Sequence, residues 1–116
     1  MTRETGFMSS EALTLFQILE AWGCHPRIRI SRQNVGKALI KGRWVRFGVP
    51  GTADIVGLIA PTGRLVMLEV KSKTGKQRAA QLAMQRVITA MGGLYAVCRT
   101  LAEADAVLIP LVGPRE

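Results

Sequence analysis

Acidic side chains are scarce in this chain. Eight Asp and Glu stand against sixteen Lys and Arg in 116 residues, a formal charge of +8, and the isoelectric point is near 10.5. So basic a small chain implies an anionic partner, most often nucleic acid. Membrane-surface binding would call for a basic amphipathic helix. Cysteine is nearly absent: Cys24 and Cys98 are the two, with no CxxC pair. That argues against a disulfide framework or a zinc site and leads us to expect two buried thiols in a reduced, intracellular protein. No apolar run is long enough to span a bilayer, and Met1-Thr2-Arg3-Glu4-Thr5-Gly6 is not followed by a secretory core. No Walker loop is present either. Gly48-Val49-Pro50-Gly51-Thr52 lacks the Gly-Lys-Ser/Thr ending, and Ala38 follows Gly36-Lys37 where Ser or Thr is needed, so no nucleotide cofactor is expected. Repeats, linkers and low-complexity tracts are also missing. What remains is one small domain over 1–116, with its core over about 9–112 and 48% apolar residues to build it.

The chain is organised around one hairpin. Gly51-Thr52-Ala53-Asp54-Ile55-Val56-Gly57-Leu58-Ile59 and Leu65-Val66-Met67-Leu68-Glu69-Val70-Lys71 are apolar and rich in branched residues, so both read as strands. Ala60-Pro61-Thr62-Gly63 between them reads as a turn. Period-two geometry puts Glu69 and Lys71 on one face, and antiparallel pairing brings Asp54 to the same end. Two carboxylates at one point repel each other unless a positive charge sits between them. A hard divalent cation such as Mg²⁺, held by one or two carboxylates and several waters, meets that need. Lys71 beside it can orient or activate a water, or stabilise charge developing on a phosphate. A solvated hairpin end with an ordinary salt bridge accounts for the same spacing.

Before the hairpin, Ser9 or Ser10 caps a helix expected from Glu11 to Trp22, with Leu15, Phe16, Leu19 and Trp22 as its packing stripe. Residues 1–8 read as frayed. Glu11 suits a helix N-terminus through the dipole alone. Cys24 to Ile30 reads as a strand, and Ser31 to Lys41 as a basic loop or irregular arm. Gly42 to Phe47 reads as a further short strand whose Trp44 and Phe47 sit among basic residues. That interleaving suits base stacking beside phosphate contacts, and it equally suits a solvated loop anchored by one aromatic. After Lys71 comes the polar link Ser72-Lys73-Thr74-Gly75-Lys76. A helix is expected over 77–91, with Ala80, Met84, Val87, Ile88 and Met91 facing the sheet. Gln77, Gln81 and Gln85 share a second face, which is also what a plain solvated face looks like. Gly92-Gly93 stops that helix, and Leu94 to Cys98 is a strand expected to lie parallel to the one ending at Lys71. Thr100 caps a short last helix over 101–107.

Several of these residues stand in a familiar order. Asp54, fourteen residues, Glu69-Val70-Lys71 and then helical Gln81 resembles the PD-(D/E)xK nuclease superfamily. More closely, the chain is similar to the virus-type replication-repair nuclease domain, VRR-NUC. The matching pieces are Arg32-Gln33-Asn34-Val35-Gly36, Pro50 to Gly57, Glu69-Val70-Lys71, Gly75 to Gln81 and Gly92-Gly93 with its following strand, together covering roughly 11–107. Ala53 departs from the superfamily pattern, which has proline before the aspartate. The resemblance implies an α/β fold, a restriction-endonuclease-like mixed β-sheet flanked by helices with an α-β-β-β-α-β core. It implies Mg²⁺ or Mn²⁺ held by Asp54, Glu69 and the carbonyl of Val70, with Lys71 as catalytic lysine. Glu11 and Gln81 match further positions of the family's site. Compact stand-alone members resemble junction-resolving enzymes of phages and bacteria, which implies a homodimer acting on branched DNA in the cytoplasm of a bacterial or phage-infected cell.

Two functions from different classes follow from these observations. One is a metal-dependent DNA endonuclease, leaving a 5′-phosphate as the resemblance implies, with DNA carried by Arg27, Arg29, Arg32, Asn34, Lys37, Lys41, Arg43, Arg46, Lys73, Lys76 and Arg78. The other is a basic nucleic-acid-binding module without chemistry. The carboxylate pair separates them, because a pure phosphate binder gains nothing from acids against its substrate. For a two-fold dimer, Leu13, Trp22, Met84, Met91 and the run Val107 to Val112 are the apolar candidates, and the run can equally fold back on its own domain.

Overall fold

The computed structural model describes residues 9–33 and 36–115. The expected fraying of 1–8 lies outside these residues, as do Asn34 and Val35. The order is α1 (Ser10–Trp22), β1 (Ile28–Arg32), β2 (Gly36–Ile40), β3 (Arg43–Phe47), β4 (Ile55–Ile59), β5 (Arg64–Val70), α2 (Ala79–Ala90), β6 (Leu94–Cys98) and α3 (Leu101–Val112). β1, β4, β5 and β6 form a mixed four-stranded sheet in that order, and β2 and β3 form a separate two-stranded ribbon. β1–β4 and β4–β5 pair antiparallel, while β5–β6 pair parallel across the α2 crossover. The protein is thus a small α/β domain with helices on both faces of a mixed sheet.

The period of two along β5 divides the core. Val66, Leu68 and Val70 join Leu15, Ile18 and Trp22 of α1 and Ala104, Leu108 and Val112 of α3 in one cluster. Met67 points the other way, into a smaller cluster with Ala53, Ile88 and Tyr95 beneath α2. Glu69 shares the parity of Met67, so it lies on the α2 side of the sheet. Among the described residues no helix is long and apolar enough to cross a membrane.

Several elements differ from expectation. β1 starts four residues late because 23–27 is spent on a turn, in which the His25 and Ile28 amides donate to the Trp22 and His25 carbonyls and the Arg27 amide donates to His25 Nδ1 at 3.1 Å. The basic arm is a regular hairpin. Lys41 (φ 53°) and Gly42 (φ 77°) form its two-residue turn, a left-handed pair whose twist matches the flanking strands. On α1, Ser9 is the cap, its Oγ accepting from the Ala12 amide at 3.0 Å. Ile18 rather than Phe16 completes the buried stripe, and Phe16 lies beneath the Arg32 guanidinium, 6.0 Å from the ring centroid. Cys24, expected buried, is exposed in the turn after α1, whereas Cys98 is buried.

α2 begins at Ala79, and Ile88 with Met84 meets the sheet while Ala80, Val87 and Met91 stay exposed. The inward stripe runs through Gln81, which is turned onto Glu69, then Met84 and Ile88, and this leaves Val87 and Met91 on the outer flank of the helix. α3 runs past its expected end at Val107, through Pro110 to Val112. A proline inside a helix costs about 3 kcal/mol, but Pro110 and Ala106 face solvent, and burying Leu108 and Val112 returns roughly 1.5–3 kcal/mol each. Within the run offered for a partner, Leu108 and Val112 are core of its own domain while Ile109 and Pro110 are exposed, and Trp22 is fully buried.

Candidate active site

The β4–β5 register sets Ile55 against Leu68, which places Asp54 across from Glu69. Asp54 Oδ2 accepts the Val70 N–H at 2.8 Å, so the carboxylate ends the ladder that the strands would otherwise continue. Glu69 is 3% exposed. Its Oε2 accepts from Gln81 Nε2 at 2.8 Å and lies 3.5 Å from Lys71 Nζ. Gln81 is oriented from behind, because its Oε1 accepts the Arg78 amide at 2.8 Å at the start of α2. That amide could not donate to an NH₂ group, so the backbone decides which end of the glutamine faces Glu69.

Glu11 reaches the same region from the first turn of α1, and its Oε2 accepts the Ser72 amide at 3.0 Å. Glu11, Asp54, Glu69, Val70, Lys71 and Gln81 all line one cleft of about 500 Å³, with Arg32, Gln33, Lys37 and Arg78 on its walls. Every residue expected to carry chemistry thus converges there.

Electrostatics in the cleft are unfavourable without a cation. The Glu69 carboxyl is pushed up from 4.5 to about 7, chiefly by burial and next by the charge of Asp54, with Lys71 opposing. Glu69 Oε1 is buried and has no hydrogen-bond partner among the described residues. A hard divalent cation would satisfy that oxygen and offset the repulsion between the two acids. The donor set fits Mg²⁺ or Mn²⁺, with Asp54, Glu69 and the carbonyl of Val70 as the residues that would hold it. Among the described residues no three His, Cys, Asp or Glu side chains gather around one point, and Glu11 is engaged with the Ser72 amide.

Some neighbours of the site carry no obvious signal in the sequence. Tyr95 donates its hydroxyl to the Gly51 carbonyl at 3.2 Å, and its pKa is pushed up to about 12 by burial and then by Glu69 and Asp54. Gly51 has φ +90°, and a Cβ there would collide with the Ala80 carbonyl, so only glycine lets the loop before Asp54 lie against α2. Arg99 donates to the carbonyls of Ser72 and of Gly75, the latter at 2.7 Å, and so pins the link that follows Lys71. Parallel pairing of Val70 with Cys98 sets residue 99 beside residue 71, and that register was the available clue.

The basic residues divide by position. Arg32, Lys37 and Arg78 line the cleft, and Lys41 and Arg43 lie on the ribbon. Arg27 and Arg29 border a separate recess beside Leu58 and Pro61, at the other end of the sheet. Lys73 and Lys76 are exposed on the link after Lys71. Arg46 lies in β3, with its side chain outside the description, and Asn34 lies outside the described residues. In comparison with known proteins, no family model and no curated protein matches the chain.

Proposed function

We propose that this protein is a metal-dependent endonuclease that hydrolyses DNA phosphodiester bonds, selective for branched or junction DNA, on a PD-(D/E)xK-type site in a restriction-endonuclease-like fold. The observation that carries the proposal is the buried Glu69, opposite Asp54 and 3.5 Å from Lys71, in a cleft walled by Arg32, Lys37 and Arg78. A phosphate binder without chemistry would not keep two acids where the phosphate docks. A Mg²⁺ or Mn²⁺ ion, which Asp54, Glu69 and the carbonyl of Val70 would hold, would supply Lewis-acid stabilisation of the phosphoryl oxygens and a more acidic water. Gln81 fixes the rotamer of Glu69. Lys71 positions the attacking water or neutralises charge on the phosphate as the bond to the 3′ oxygen breaks, leaving a 5′-phosphate. Arg32, Lys37 and Arg78 bind the flanking phosphates and orient the backbone. Two opposed cuts in a junction need two sites, so a two-fold homodimer belongs to the same proposal.

The test is incubation of the pure protein with branched and linear DNA, with Mg²⁺, Mn²⁺ or EDTA. Cutting is expected with either metal and none with EDTA. Lys71→Ala should abolish cutting and leave DNA binding largely intact. Binding without cutting under every metal condition would instead identify a nucleic-acid-binding module, and wild-type cutting by Lys71→Ala would remove the catalytic role of that residue.

A further inference from the structure

Beyond Lys37, the β2–β3 ribbon takes no part in the cleft. It stands outside the four-stranded sheet, and among the described side chains neither core cluster contains a residue from it. A two-stranded hairpin alone is marginally stable, yet this one leaves Leu39, Ile40, Trp44 and Val45 exposed. Leu39 and Trp44 are cross-strand partners, so they form one apolar rung, and Trp44 is 71% exposed. Lys37, two rungs nearer the root, lines the cleft. Two rungs span roughly 7 Å, about the reach of one nucleotide.

Charge indicates what covers this ribbon. No acidic residue occurs between Glu20 and Asp54, while that interval holds seven Lys and Arg. A second copy of the ribbon would bring like charge against like charge, whereas a polyanion is complementary. Phosphate contacts need only the Lys and Arg side chains. An intact duplex presents phosphates and groove edges, and neither uses the face of an indole. An unpaired base does, through stacking. We infer that the β2–β3 ribbon receives an unpaired nucleotide on Trp44, backed by Leu39, with Lys37, Lys41 and Arg43 on the adjoining phosphates. DNA with a single-stranded flap or gap beside the cleft is therefore its substrate class. This rests on the nucleic-acid reading of the cleft and adds a source of branch selectivity outside it.

Equilibrium binding to labelled DNA in EDTA tests the inference. The probes are an uninterrupted duplex and the same duplex carrying a short single-stranded flap. Trp44→Ala should weaken flap binding roughly fivefold to a hundredfold, the range of one lost base stack, and change duplex binding less than twofold. Trp44→Phe, which keeps an aromatic face, should recover most of the loss. Tryptophan emission gives a second readout. Trp22 is fully buried with its Nε1 on Asp105 Oδ1 at 2.9 Å, so quenching by flap DNA comes from Trp44. Equal losses on both DNAs, no loss on either, or no quenching would overturn the stacking role while leaving a wild-type enzyme that binds and cuts. Failure of the wild type to bind either DNA would overturn the cleft proposal as well. A shift from dimer to monomer on Trp44→Ala, without DNA, would make the ribbon a self-association arm and also overturn the inference.

Discussion

Replacing Glu69 with Gln should make the metal-free protein more stable at alkaline pH. Glu69 moves from 4.5 to about 7 in the folded protein. Each unit is worth about 1.4 kcal/mol between the protonated and ionised forms, so ionising the folded carboxyl costs about 3 kcal/mol. The sign follows from proton counting. Between 4.5 and about 7 the folded state holds this proton and the unfolded state has released it. Wild-type stability therefore falls as pH rises through that window and levels off above it. Glutamine keeps the shape of the protonated acid and can accept from Gln81 as before, so its curve lacks this fall. Relative to Glu69→Gln, wild type should lose about 3 kcal/mol between pH 4 and pH 8, equivalent to roughly 10 °C in midpoint for a domain of this size. Urea unfolding in EDTA at a series of pH values measures it. Adding Mg²⁺ at pH 8 should restore wild type and leave the variant unmoved. Parallel stability curves for the two proteins would refute the argument that a buried, acid-facing carboxylate strains the empty site.

Other consequences can be measured directly. DNA affinity should fall steeply with salt, and Arg32→Ala or Lys37→Ala should weaken binding to every DNA by a similar factor and lower the salt slope by about one; salt-insensitive binding would remove the nucleic-acid partner. Gly51→Ala should cost at least about 2 kcal/mol, since alanine disfavours this positive φ and its Cβ meets the Ala80 carbonyl, and it should lower cutting further by moving α2; calorimetry and an endpoint assay read the two effects. Sedimentation at micromolar concentration should show a dimer, and a clean 12.6 kDa species with and without DNA would leave nicking or flap cleavage in place of junction resolution.

The site was legible because its rules are local. Strand parity places Glu69 and Lys71 together and hairpin pairing adds Asp54, whereas Gln81 was singled out from Gln77 and Gln85 by the resemblance alone. The parallel placement of Leu94 to Cys98 followed from strand, helix, strand order. The ribbon was less legible. Gly36 to Ile40 holds little of the alternation that marks a half-buried strand, and Leu39, Ile40, Trp44 and Val45 are all exposed. The inward face of α2 was misjudged at Val87 and Met91, since two overlapping apolar stripes share Met84 and Ile88 and spacing alone cannot show that the polar Gln81 continues the inward one. Pro110 suggested a stop that the burial of Leu108 and Val112 overrides. The resemblance pointed to Glu11, which lines the cleft, but its bond to the Ser72 amide depends on how α1 crosses the sheet, which no spacing encodes.

The two faces of the sheet are unequally upholstered. Beneath α1 and α3 lies a deep cluster to which the two helices contribute Trp22, Ile18 and Leu108, all fully buried, whereas α2 packs mainly through Ile88 on Met67 and Tyr95. Subglobal opening should therefore begin with α2, whose amides should exchange with solvent at a lower free energy than those of β4 and β5. When α2 lifts, Gln81 leaves Glu69, and the acid pair is uncovered without disturbing the hairpin that carries it. A cation bridging the two carboxylates would favour the state in which α2 is down, so metal occupancy should appear in exchange data as slowed protons along one helix, far more than as movement of the strands that hold the ion.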